Sequence, residues 1–218
     1  TGATSGFGKA MAEKFASEGN DLILTGRRAE RLAEFAKELH DKFSVQVSTK
    51  VFDVQNKEEV FNALSNDENL ENVDVVVNNA GLALGRDFFD EASLDDWEVM
   101  IDTNVKGLLY VTKAMLPYLI KTGKGHIVNI GSMGGFSGSS KFPGLSIYSS
   151  TKAALANLSE CWAEELKEFG VTSNCLALGA VNTEMLQEAF PGYEAPLSAK
   201  EMADYIFNFA LTGSKYYN

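Results

Sequence analysis

Five short apolar runs, each closed by small or polar residues, constrain this chain more than any other feature. Asp21-Leu-Ile-Leu-Thr25, the alternating stretch 44–51, Asp74-Val-Val-Val-Asn78, His126-Ile-Val-Asn-Ile130 and 171–177 read as strands. Helical patterns lie between and around them, at 9–18, 29–41, from Asn56 onward, 97–120, 153–168 and 198–211. The run at 75–77 is apolar without alternation, as a strand covered on both faces requires, and such strands belong to parallel sheets. Strand–helix alternation without a linker or an internal repeat predicts one α/β domain over 1–218, built on a doubly wound parallel sheet. Asn56, Ser93 and Ser198 stand where helix N-caps are needed, and Ser198 with Glu201 spells a capping box.

Charge then excludes partners. The formal net charge of −11 disfavours a nucleic-acid or anionic-membrane surface. No signal segment and no apolar run of about 18 residues is present, so a soluble, cytoplasmic protein is expected. Cys161 and Cys175 fit no metal or redox spacing and are expected to be buried free thiols. His40 and His126 are unaccompanied, so a loop or surface place is expected for both, and no metal site is read.

Thr1-Gly-Ala-Thr-Ser-Gly-Phe-Gly8 sets glycines at 2, 6 and 8 just ahead of a helix. Glycines there let backbone approach a pyrophosphate, which the free N–H groups of the helix N-terminus then receive. The second strand of such a unit ends near the adenosine ribose, where an acidic residue would select a free 2′-hydroxyl. Here the residues are Gly26, Arg27 and Arg28, and guanidinium forks suit a 2′-phosphate, so NADP(H) is the cofactor expected. Asp53 closes the next strand and is either an adenine contact or a simple turn residue. Asn78 and Asn79 close a buried strand and need hydrogen-bond partners, while Ala80-Gly81 leaves room for a cofactor.

Chemistry concentrates between Ser132 and Lys152. Tyr148 and Lys152 share one face of a helix one turn apart if the helix at 153–168 already covers residue 148. A phenol titrates near 10, and a nearby cation moves it toward neutral pH, so Tyr148 reads as a proton carrier and Lys152 as its partner. Ser132, just past a strand end, is placed to donate to the same substrate oxygen. Asn104 falls inside a helical tract, where asparagine is poorly suited, and suggests a kink or a functional hydrogen bond.

In order and spacing, the glycine turn 1–8, Asp53, Asn78-Asn79-Ala80-Gly81, Asn104, Ser132, and Tyr148 with Lys152 resemble the classical short-chain dehydrogenase/reductase family over essentially the whole chain. Segments 79–85, 96–104 and 125–132 more narrowly resemble its NADP-dependent 3-hydroxy acid dehydrogenase branch. The resemblance implies a Rossmann-type sheet, with one strand ahead of Thr1 and one after the last helix, neither in this sequence. It implies that Tyr148 is the acid/base and that Lys152 lowers its pKa and holds the nicotinamide ribose. Ser132 would orient the carbonyl and Asn104 would hold a water in the proton relay. Cofactor contacts would come from Gly2, Thr4, Ser5, Gly6, Phe7, Gly8, Arg27, Arg28, Asp53, Val54, Asn79, Ala80, Gly81, Gly179, Val181 and Thr183, the last at the nicotinamide carboxamide. Sixteen residues separate Ser132 from Tyr148, more than in the family, which leaves Ser137, Ser139, Ser140 and Ser146 as rivals for the serine role. A homodimer or homotetramer on the 97–120 and 148–168 helices is also implied.

The expected activity is NADP(H)-dependent interconversion of a secondary alcohol and a ketone, on a small molecule such as a 3-hydroxy acid. A 3-oxoacyl thioester reductase and a non-catalytic NADP-binding sensor or scaffold are the alternatives. Phe136, Phe142, Met185, Leu186, Phe190 and Tyr193 lie on the two loops expected to form an apolar substrate pocket, and Lys141 either meets a substrate carboxylate or is solvated.

Overall fold

The computed structural model describes residues 1–217 apart from the side chain of Ala189; Asn218, which ends the sequence, also lies outside the described residues. In chain order the elements are α1 (Gly6–Ser17), β1 (Leu22–Gly26), α2 (Ala29–Phe43), β2 (Val47–Val51), α3 (Lys57–Leu64) and β3 (Val75–Asn78). They continue with α4 (Leu94–Ile101), α5 (Leu108–Thr122), β4 (His126–Ile130), α6 (Ser146–Leu166), β5 (Thr172–Leu176), α7 (Glu184–Ala189) and α8 (Ala199–Thr212). All strand pairs are parallel. One sheet has β1 beside β2 and the other has the order β3-β4-β5.

Local sequence explains the element ends. Asn56 accepts from the Glu58 and Glu59 backbones at the start of α3, and Ser198 with Glu201 closes the capping box of α8. The expected strand 44–51 begins only at Val47, because Ser44 ends α2 in the left-handed conformation, φ 59°, and turns the chain first.

Strand side chains alternate between two apolar layers. Val76 and Ile127 face a core shared with α3, α5 and α6, while Val75, Val77, Val128 and Ile130 face one shared with α1 and α8. A third core joins α1, α2 and β1 through Leu24, Leu32, Phe35 and Leu39. Between the facing edges of β1 and β3 lies a cavity of about 720 Å³ lined by Ala3, Met11, Leu22, Leu24, Val75 and Val77 among others. The glycine turn spans it at the carboxyl ends of the strands. Ala3 N donates to the Thr25 carbonyl on one side, and the Thr1 nitrogen donates to the Val77 carbonyl on the other. This crossing is tight: a Cβ on Gly8 would stand 2.1 Å from the Gly2 carbonyl oxygen and 2.7 Å from Asn79 Nδ2.

A buried polar chain ties the second sheet to its helices directly beneath the strand ends. Asn78 Nδ2 donates to Thr112 Oγ1 (2.9 Å) and Asn129 Oδ1 (2.8 Å), and Asn129 Nδ2 donates to Ser159 Oγ (2.8 Å). His126 is another correction to the sequence reading. It is buried in β4, with one ring nitrogen at the Ala210 carbonyl and the other at Asn174 Oδ1. His40 is exposed, as expected of it. Cys161 is exposed and Cys175 half-buried, so neither is the fully buried thiol expected. No helix among the described residues is long and apolar enough to cross a membrane, and none of their acidic, His and Cys groups form a metal-binding cluster.

Asn129→Ala leaves the Asn78 amide and the Ser159 hydroxyl without their shared partner. Asn78 keeps Thr112 and Ser159 keeps the Leu155 carbonyl, so two lost hydrogen bonds at about 0.5–1.5 kcal/mol each give an expected loss of about 2 kcal/mol. Urea unfolding should show a lower midpoint at unchanged slope; an unchanged midpoint would mean the chain of amides carries no stability.

Candidate active site

The site forms where β3 and β4 end and α6 begins. Helix α6 does start before Tyr148, so Tyr148 and Lys152 stand one turn apart on the same face, with the Lys152 ammonium 5.8 Å from the phenol ring centre. Lys152 is buried and donates to the Ile130 carbonyl at 2.8 Å, at the last residue of β4. Two residues further on, Ser132 caps a short 3₁₀ turn, Met133–Gly135, and accepts from Gly134 N at 3.2 Å. The backbone of Gly135 lies against the Lys152–Ala153 peptide, which presses the Ser132 loop onto α6. The Ser132 hydroxyl lies close enough to the Tyr148 phenol to favour its phenolate. Of the rival serines, Ser139 instead bonds the Phe136 carbonyl and Lys141.

Asn104 explains its awkward place in the sequence. The expected continuous helix 97–120 is broken into α4, a π-helical turn at Asp102–Gly107, and α5. Within that turn the Asn104 carboxamide accepts from Leu82 N (2.9 Å) and donates to Leu82 O (2.9 Å) and Thr151 Oγ1 (3.0 Å). Its side chain therefore clamps the loop after Gly81 to α6. Thr151 was not singled out in the sequence, although it lies between Tyr148 and Lys152; its hydroxyl also donates to the Tyr148 carbonyl. A Cβ on Gly81 would stand 3.5 Å from Lys152 Nζ, so this loop passes beside the ammonium.

Burial sets the charges. It lowers Lys152 to about 8, with the neighbouring Cys175 acting weakly in the other direction. Burial also raises Tyr148 above its ordinary value, and the nearby Ser132 hydroxyl only partly offsets that. This corrects the sequence reading, which expected Lys152 to draw Tyr148 downward. Here Ser132 is the group that favours the phenolate, and desolvation outweighs it.

The cofactor half is assembled around the glycine turn. Thr1 Oγ1 accepts from Asn79 N (3.1 Å) and Ala80 N (2.9 Å), and Asn79 Nδ2 donates to the Thr1 carbonyl (2.8 Å). Ser5 stands at the N-cap of α1 without making a capping bond, and the first turn has no acidic residue. Among the described residues, the Gly6, Phe7 and Gly8 N–H groups thus lack internal partners, which suits an anion. Arg28 reaches over this turn to Thr4 Oγ1 (2.6 Å) and Ser5 Oγ (3.3 Å), and Arg27 pairs with Asp53 (3.3 Å). Asp53 also accepts from Gln55 N, so it is a turn residue and an Arg27 partner together.

Other expected contacts fall differently. The Phe7 side chain packs on the core, and Val181 is buried within that core, so their side chains are structural. Val54 packs against Gly107 of the π-helical turn. Thr183 caps α7 by accepting from Leu186 N, and Gly179 is exposed with open space beside it. Lys141 is exposed, as the solvated reading expects, and its ammonium donates to the Gly134 and Phe136 carbonyls, both at 2.6 Å, and to Ser139 Oγ at 2.8 Å. The aromatic side chains of the two substrate loops do meet, Phe142 against Phe190 with ring centres 5.6 Å apart and Phe190 near Tyr193 at 6.4 Å.

The family model of the short chain dehydrogenases matches residues 1–194. Sulfoacetaldehyde reductase 2 of Chromohalobacter salexigens is 42% identical over 219 residues, covering 95% of this chain and 85% of that protein. The NADP-dependent 3-hydroxy acid dehydrogenase YdfG of Escherichia coli O157:H7 is 43% identical over 160 residues, 73% of this chain and 62% of its own length. Among solved structures, the closed form of serine dehydrogenase complexed with NADP+ superposes with a TM-score of 0.86 at 32% identity, covering 100% of this chain and 90% of that one.

The buried lysine makes a pH-dependent stability difference. Below about pH 8 Lys152 is charged folded and unfolded, and the folded chain carries the whole desolvation cost. Between about 8 and the ordinary 10.5, the unfolded chain still holds the proton that the folded chain has released, so stability rises with pH across that window. Urea unfolding of the parent and of Lys152→Met at several pH values checks this. The parent should gain on the variant between about pH 8 and 10; a difference independent of pH would contradict the assigned burial cost.

Proposed function

The chain belongs to the short-chain dehydrogenase family, and from that membership we propose that it is an NADP(H)-dependent oxidoreductase interconverting a secondary alcohol and a ketone on a small acid such as a 3-hydroxy acid. The observation that carries the reading is Tyr148 held one helical turn from the buried Lys152, with Ser132 beside the phenol. Two similarities support the substrate class. Relatives similar over most of this chain are named for sulfoacetaldehyde, which bears a sulfonate, and for 3-hydroxy acids, which bear a carboxylate.

The cofactor fits the residues present. The uncapped first turn of α1, with Gly2, Gly6 and Gly8 around it, would receive the pyrophosphate. Arg27 and Arg28 would take the 2′-phosphate, with Asp53 giving up its hold on Arg27. Asn79, Ala80 and Gly81 would border the nicotinamide half with Lys152. When bound, NADPH supplies the hydride that the carbonyl carbon accepts. The chain's own part is the proton and the orientation: Ser132 donates to the carbonyl oxygen and Tyr148 gives it a proton. Burial keeps the Tyr148 phenol protonated near neutral pH, the state that reduction requires. Lys152 holds positive charge beside the oxygen that loses that proton.

Two measurements test the reading. Tyr148→Phe should cut NADPH-dependent turnover by about 10³-fold, while NADPH affinity changes by less than about 3-fold. Turnover that survives the change would remove Tyr148 from the reaction. Fluorescence titration of Arg27→Ala/Arg28→Ala should weaken NADPH about 10-fold or more and leave NADH affinity nearly unchanged; equal losses would remove the 2′-phosphate assignment.

A further inference from the structure

Three segments meet ahead of α6: residues 79–93, whose Arg86 abuts Gly144, residues 131–145, and residues 177–198, whose Phe190 meets Phe142. They carry two cations between them, Arg86 and Lys141. Lys141 is consumed by three acceptors of its own loop. Arg86 is not: among the described residues its guanidinium has no hydrogen-bond or ion-pair partner, although Asp87, Asp90 and Glu91 follow it and Glu184 and Glu188 lie on the facing segment. It lies over the face of Phe190, with the guanidinium carbon 4.4 Å from the ring centre.

The backbone fixes Arg86 at the rim of the site. Leu82, four residues earlier, is held at both its N–H and its carbonyl by Asn104. On the other side the Arg86 carbonyl abuts Gly144, φ 79°, where a Cβ would come within 2.2 Å of it. Gly144 is four residues before Tyr148, and four residues span at most about 14 Å of chain, which bounds how far the Arg86 backbone can stand from the phenol's own backbone. Phe190 is braced in turn by Phe142, which makes the platform under the guanidinium part of both substrate loops.

A guanidinium lying on an aromatic face keeps its N–H edge free, and that edge matches the paired oxygens of a carboxylate or sulfonate. We propose that Arg86 is the specificity-determining residue of this enzyme, taking the acidic group of the substrate on the platform of Phe190 while Tyr148 and Ser132 hold its hydroxyl. The inference rests on the proposed dehydrogenase reading and names the residue that would give it a preference for acids. It also assigns a role to Phe190, the residue that follows α7, since holding the acid group against Arg86 requires that ring to stay in place.

The test uses matched acidic and neutral secondary alcohols with NADP+: 3-hydroxybutyrate against 3-hydroxybutanamide, and 2-hydroxypropane-1-sulfonate against 1-(methylsulfonyl)propan-2-ol. The ratio of kcat/KM, acid over neutral, is measured for the parent, Arg86→Met and Arg86→Lys. For the acid that the parent prefers, the ratio should fall about 30-fold in Arg86→Met, mainly through KM, and only about 5-fold in Arg86→Lys, which keeps the charge but not the fork. The pair that shows the effect tells carboxylate from sulfonate. A parent that prefers the acid, with a ratio indifferent to Arg86→Met, would overturn the inference and leave the substrate reading standing. Loss of both partners of a pair in equal measure would show that Arg86 only holds its loop, which also overturns it. A parent active on the neutral alcohols alone would refute the acid-substrate reading and the role of Arg86 together.

Discussion

One buried carboxamide holds the site together. Asn104 can bond the loop after Gly81 and helix α6 at once because the helix around it widens into a π-turn. A regular α-helix would rotate the following residues and carry that side chain off the line between Leu82 and Thr151. The loop beside Lys152, the orientation of α6 and the start of the path to Arg86 all follow from this clamp. The asparagine's unfavourable place in a helix is the local cost of a non-local arrangement.

The charges of the site are set by burial more than by pairing. Lys152 and Tyr148 are both pushed toward their neutral forms, the one lowered and the other raised. The hydrogen bond from Lys152 to Ile130 O, and the Ser132 hydroxyl beside the phenol, limit that cost without removing it. The apolar layers on either side of β3 and β4, and the amide chain of Asn78, Asn129 and Ser159, supply the rigidity that keeps such groups buried. A site of this kind is expected to be costly in stability and to sit at the strand ends, where the backbone leaves room for ligands.

Much of this was legible in the residues. The span of β4, the caps at Asn56 and Ser198, and the placing of Tyr148 with Lys152 on one helical face follow from periodicity and from capping chemistry that acts over a few residues. What the sequence hid depends on partners far along the chain. His126 is buried because Ala210 and Asn174 receive its two nitrogens, 84 and 48 residues away. Lys141, though exposed, bonds three acceptors of its own loop, and no local pattern announces that. The direction of the Tyr148 shift depended on how deeply α6 is covered, a quantity that spacing does not contain. Val181 and Phe7 stand in segments assigned to the cofactor, yet their side chains serve the core beneath. Conversely, Arg86 carried no sequence signal beyond its being one of two cations on the bordering loops; the aromatic platform that gives it meaning is assembled from residues about fifty and a hundred positions away.

The central claim is that this fold delivers a hydride from NADPH to a substrate carbonyl while the protein supplies the proton. Incubating the protein with a 3-oxo acid and NADPH deuterated at the nicotinamide 4-position, in ordinary water, tests it most directly. The account predicts one deuterium on the carbinol carbon of the product and a hydroxyl proton exchangeable with solvent. A product without deuterium at that carbon, or cofactor oxidation with no alcohol formed, would contradict it.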